Sequence, residues 1–113
     1  MIRNQTKGKV LAKEFQPCIS LLSRMKGLML SKSPRSLVMA FPKEQKIGIH
    51  MMFVFFPIDV LWLDANQMVV AMRESLKPWA AAYPQEPAKY VVELPQGTIR
   101  ETHTEVGDRL VWS

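Results

Sequence analysis

Five side chains of this 113-residue sequence combine usable chemistry with surroundings that restrain it: Arg24, His50, Asp59, Trp79 and Glu93. Asp59 stands between Ile58 and Val60, just after Pro57, in an apolar run where an ionised carboxylate must collect hydrogen-bond donors or give up its charge. It reads either as a ligand-binding group or as a structural acceptor of backbone N–H groups beside the proline turn. His50 lies in the same run and could carry a proton or hold an acidic or hydroxylated compound; the plainer role is a hydrogen-bonded core histidine. Asp59 and His50 together would form the acid–base pair of a hydrolase-like enzyme, yet no serine in a strained, Gly-flanked turn accompanies them.

Arg24 can complement a helix dipole or extend a fork of donors toward Asp59 or Glu93. Glu93 alternates with Tyr90, Val92 and Leu94, which places it on the opposite face of its strand and predicts a solvated carboxylate. Trp79, beside Pro78, suits the mouth of a pocket or the packing of its own loop. The single cysteine, Cys18, reads as an inert buried thiol, and one thiol with two distant histidines does not furnish a four-ligand metal site. No Gly-rich phosphate loop, paired-cysteine motif or dinucleotide fingerprint occurs, so no metal or cofactor is expected.

The elements that must position these groups are mostly strands. The stretch from Gly8 to Phe15 is weakly apolar and reads as an opening strand. Cys18, Leu21, Leu22 and Met25 follow helical spacing between Pro17 and Gly27, which predicts a helix over residues 17–26. Ser36 to Pro42 reads as a buried strand closed by the proline, with Lys43 to Lys46 as a loop. The run from Ile47 to Leu63 contains His50, Pro57 and Asp59 and is shorter than the ~20 residues of a membrane span, so it is core. Ile58–Leu63 and Met68–Arg73 flank Asp64-Ala-Asn-Gln as a hairpin. Three prolines between Lys77 and Pro87 mark a loop outside the sheet. Lys89–Pro95 returns to strand, Thr98 and Glu101 have capping-box spacing for a second short helix over 98–103, and Arg109–Trp112 closes the sheet.

Composition bounds the function. With 48% apolar and 22% charged residues, the chain has the balance of one folded domain over residues 1–113. The polar N-terminus lacks the apolar stretch of an export signal, and one cysteine suits a reducing compartment, so a cytoplasmic protein without a membrane span is expected. Residues 1–46 hold ten Lys or Arg against two acids, whereas residues 47–113 hold five against eight. A basic first third can meet nucleic acid or an anionic surface, but its lysines are dispersed and no aromatic stacking pattern runs between them, so a solvated face is favoured.

Five short motifs, Arg24-Met-Lys-Gly-Leu-Met, Val38-Met-Ala-Phe, Pro57-Ile-Asp-Val-Leu-Trp-Leu-Asp, Tyr90-Val-Val-Glu-Leu-Pro-Gln-Gly and Gly107-Asp108, stand in an order that resembles the uncharacterised family called domain of unknown function 192. The resemblance spans nearly the whole chain and implies a compact, mostly β domain with small helices and no agreed activity. One departure is His50-Met-Met-Phe-Val, where many members have Trp-Met-Lys-Asn-Thr. The expectation is therefore an α+β, mainly β fold, a single compact sheet or small barrel-like domain with two short helices. Its leading function is binding of a small molecule or protein partner near the Pro57–Asp59 strand.

Overall fold

Strand Ile58–Leu63 buries all six of its residues, and this all-round burial organises the molecule: the strand lies inside a sheet covered on both faces. The computed structural model describes residues 1–18, 35–51 and 54–113. In chain order these form β1 (Ile2–Asn4), β2 (Lys9–Ala12), β3 (Gln16–Cys18), β4 (Leu37–Gln45), β5 (Ile49–His50), β6 (Ile58–Leu63), β7 (Val69–Leu76), β8 (Ala81–Ala82), β9 (Ala88–Pro95), α1 (Thr98–Thr102) and β10 (Leu110–Trp112). The main sheet has the order β3-β4-β9-β6-β7, parallel only between β3 and β4. A three-stranded sheet, β10-β1-β2, and the β5-β8 pair complete it.

Alternation along the central strands divides the core in two. Ile58, Val60 and Trp62 of β6 face one side, where Leu37, Met39 and Val91 meet a roof that includes Ile47, Ile49, Met51, Val54, Leu76 and Ala82. The Trp62 indole N–H is satisfied there by the carbonyl of Ile47 at 2.9 Å. Leu61 and Leu63 face the other side with Val92 and Leu94, against Ile2, Leu11, Ile99 and Leu110 from the small sheet and α1.

The small sheet is tied down by a buried polar cluster. The Asn4 side chain donates to Thr104 Oγ1 at 3.1 Å and to Asp108 Oδ2 at 2.9 Å, and its own oxygen accepts the Lys7 N–H. Burial alone would raise the Asp108 carboxyl, but hydrogen bonds from Asn4 and the Lys7 ammonium outweigh it and hold the group below its ordinary value.

Several expectations are corrected. There is not a single sheet but three, and one helix among the described residues rather than two. Pro17 and Cys18 belong to β3, paired in register with Val38 and Met39, so the predicted helix does not begin at 17; its remainder lies outside the described residues. β4 passes through Pro42 to Gln45, its pairing with β9 interrupted between Ala40 and Gln45, an irregularity that accommodates a residue without an N–H. The proline-rich loop contributes β8 to a ladder with β5. Thr98 does not cap α1: Gly97, at φ 94°, occupies that position, and the Thr98 hydroxyl donates to the Pro95 carbonyl instead. The hairpin between β6 and β7 is present, and its left-handed residue is Gln67 rather than Asn66.

Candidate binding site on the inner face of the sheet

Asp59 is fully buried, and each of its carboxylate oxygens has a backbone donor. Oδ1 accepts the Ser75 N–H at 2.9 Å and Oδ2 accepts the Ile99 N–H at 2.9 Å. The first bond has a local cause. Between Ile58↔Leu76 and Val60↔Arg73 two residues of β7 oppose one of β6, and Ser75 in that bulge stands at φ 51°. A carboxylate opposite the bulge collects the N–H that the ladder leaves unpaired, and the same group fixes the start of α1 to the sheet. This is the structural role among the sequence's two readings.

His50 is elsewhere. It is exposed in β5, in the layer that roofs the Val60 face, whereas Asp59 shares the opposite face with Leu61 and is bonded to α1. The expected Asp59–His50 acid–base pair is therefore not formed, because the sheet lies between the two groups and both Asp59 oxygens are engaged.

Glu93 overturns the expectation of a solvated carboxylate: it is only 4% exposed. Its strand is central in the sheet and carries one core cluster on each face, so leaving the Tyr90 face does not mean reaching water. Leu37 and Val60 flank Glu93 in register, and Cys18 lies one row along beside Met39 and Val91. No hydrogen bond from a described residue to the Glu93 carboxyl is seen, and no nearby charge or donor offsets its desolvation. Burial pushes it up to about 7, against an ordinary value near 4.5. The Cys18 thiol is raised as well, by its own burial first and then by the Glu93 charge, with the Arg35 charge opposing. Arg35 also donates to Gln16 Oε1 at 2.9 Å, at the edge of the same row.

Trp79 stands at the rim of the roof. Its backbone N–H donates to the Met51 carbonyl at 2.9 Å, and the Met51 backbone N–H donates to the Ala80 carbonyl at 2.7 Å, so the Trp79 turn is clasped to the end of β5 next to His50. Thus the structure brings His50 and Trp79 to one lip and sets Glu93 within the sheet face, while Asp59 lies on the opposite face. Arg24 lies outside the described residues. Of the basic residues in segment 1–46, Lys7 is engaged by Asp108 and Arg35 by Gln16. Sequence reasoning missed the burial of Glu93 although a signal was present: it is the single charged residue in Tyr90–Leu94, the same pattern that singled out Asp59 in β6.

Comparison with known proteins gives a consistent picture. A UPF0127 protein of Pyrococcus furiosus is 40% identical over 112 residues, covering 97% of this chain and 96% of that protein. Another from Thermococcus kodakarensis is 38% identical over all of this chain and 73% of its own length. Two crystal structures share the fold. A Novosphingobium aromaticivorans protein of unknown function superposes with a TM-score of 0.85 at 15% identity, covering 98% of this chain and 82% of that one. A Sinorhizobium meliloti protein described as a candidate transcription regulator gives 0.80 at 24%, covering 86% and 79%. The sequence model of the DUF192 family, described as Uncharacterized ACR, matches residues 2–112, and the chain belongs to that family.

Proposed function

We propose that the protein is a small-molecule-binding module in which the Glu93 carboxyl, set among Cys18, Leu37, Val60 and Val91, receives the basic nitrogen of a mainly apolar ligand. The observation that carries this reading is a carboxyl on a 4% exposed residue, desolvated and without a described donor. Buried acids are ordinarily paired, and one to which no described residue donates, in an apolar setting, is where a complementary partner gains most. A protonated amine supplies both the missing donor and the opposite charge, and an alkyl body matches the aliphatic surroundings. The reading keeps the site next to β6, where Val60 pairs with Glu93, but transfers the recognition role from Asp59 to Glu93.

Short n-alkylamines are the probes that test it. In thermal unfolding at about pH 8, n-hexylamine at roughly ten times its Kd should stabilise the protein by about 1.4 kcal/mol, near 5 °C in Tm. n-Hexanol, with the same chain and no charge, should give much less. The Glu93→Gln variant should lose the difference between the two. Equal shifts from amine and alcohol, or an amine shift retained in Glu93→Gln, would remove the proposed site.

A further inference from the structure

On the far rim of the roof, Phe55 and Trp79 are 59% and 58% exposed, yet they touch each other edge to face with ring centroids 6.3 Å apart. Two large aromatic side chains held together and left more than half in water contribute little to a core. Their placement is also conformationally demanding. Trp79 has φ 65°, a left-handed conformation that a bulky residue rarely adopts, and the reciprocal backbone bonds between Met51 and the Trp79–Ala80 turn hold it there. Tyr83, at 71% exposure, extends the same rim; its ring rests on the backbone of Gly48, where an added Cβ would meet Tyr83 Cδ1 at 2.5 Å.

Two lysines stand beside this rim, together with the exposed acid Glu86. Lys77 opens the turn that carries Trp79, its carbonyl accepting the Ala80 N–H, and the Lys46 ammonium reaches Gln85 just beyond Tyr83. Glu44, an acid in β4, is turned to the Ala65 N–H at 2.7 Å. The chain as a whole carries a net charge of +5.

We infer that the Phe55–Trp79 lip is a peripheral anchor for an anionic lipid surface, with the two rings entering the interfacial layer and Lys46 and Lys77 meeting the headgroups. Ring geometry separates this occupant from a nucleic acid. The Phe55 and Trp79 planes are inclined by 68°, so no flat base can stack on both, whereas an interfacial layer accepts aromatic rings in either orientation. Stable attachment to a bilayer surface takes two signals, an apolar one and a cationic one, and the lip presents both side by side. Such attachment needs no spanning segment, and no helix among the described residues is long and apolar enough to cross a membrane.

Sedimentation with vesicles tests the inference. The full chain at low ionic strength should bind phosphatidylcholine vesicles containing about a quarter phosphatidylglycerol, and bind pure phosphatidylcholine weakly. Phe55→Ser combined with Trp79→Ser should lower the bound fraction by about tenfold with the thermal transition retained, because both rings are largely solvent-exposed. Lys77→Glu should weaken binding several-fold, a difference that disappears in ~0.5 M salt. Brominated lipid should quench tryptophan fluorescence more in the wild type than in Trp79→Phe, since Trp62 is buried in the core and Trp112 is half-buried against Tyr90 beside the other core. Four results would each overturn the proposal: no binding to anionic vesicles at low salt, equal binding by the double variant, bromolipid quenching no greater in the wild type than in Trp79→Phe, or a double variant that loses oligo-dT binding while keeping vesicle binding.

Discussion

At about pH 8 the Glu93→Gln variant is expected to be more stable than the wild type by roughly 3 kcal/mol, and at about pH 4 the two should coincide. The sign follows from the direction of the shift. Burial raises the Glu93 carboxyl to about 7 in the folded protein, while the unfolded chain titrates near 4.5. Between those values the native state binds the extra proton, so wild-type stability declines as pH rises through this window and levels off above it. Glutamine is neutral throughout and of similar shape, so its stability lacks this decline. Thermal unfolding followed from acid to mildly alkaline pH checks it, and a difference of about 3 kcal/mol corresponds to roughly 12 °C for a domain of this size. Parallel pH profiles for the two proteins would mean that Glu93 ionises without cost, through a donor or through water.

Asp59→Ala should have an effect of similar size and the opposite sign. Two backbone N–H groups lose their acceptor, that of Ile99 in a buried setting and that of Ser75 in a part-buried one. Hydrogen bonds to a charged acceptor are worth about 1.5–3 kcal/mol each, so a loss of roughly 3–4 kcal/mol is expected, a Tm lower by about 15 °C. Asp59→Asn keeps one accepting oxygen and should lose about half as much. Chemical denaturation with the two variants side by side measures this. An Asp59→Ala protein within about 1 kcal/mol of wild type would show that the carboxylate does not hold α1 and the β7 bulge to the sheet.

The strands were legible where the local pattern and the final environment agree. β6, the hairpin to β7, and the Tyr90–Val92–Leu94 face of β9 follow from apolar runs and period-two alternation, and the structure places them as expected. The misreadings share a cause: each depends on a partner distant in sequence. Cys18 has helical spacing with the residues after it, but Gln16–Cys18 pairs in parallel with β4, a contact no local period announces. Thr98 and Glu101 have capping-box spacing, but Gly97 provides the left-handed turn and the Pro95 carbonyl takes the Thr98 hydroxyl. Ala81 and Ala82, set among prolines, become a strand because β5 lies opposite.

The site was half legible for the same reason. Asp59 stood out because its strand is apolar on both sides, and its bonding partners, Ser75 and Ile99, lie 16 and 40 residues away. Glu93 passed as a surface acid because alternation was read as core against solvent. In a sheet covered on both faces, alternation separates one core from another. The resemblance to the family was carried by short motifs that the whole-chain match bears out.

The measurement closest to the central claim is a carboxyl-selective carbon NMR titration of Glu93 with and without n-hexylamine. A midpoint near 7 in the unliganded protein, moving down when the amine binds, is the predicted result, because the ammonium partner favours the charged carboxylate. A midpoint in the ordinary carboxylate range, unmoved by the amine, would contradict both the desolvation of the Glu93 carboxyl and its role as the binding group.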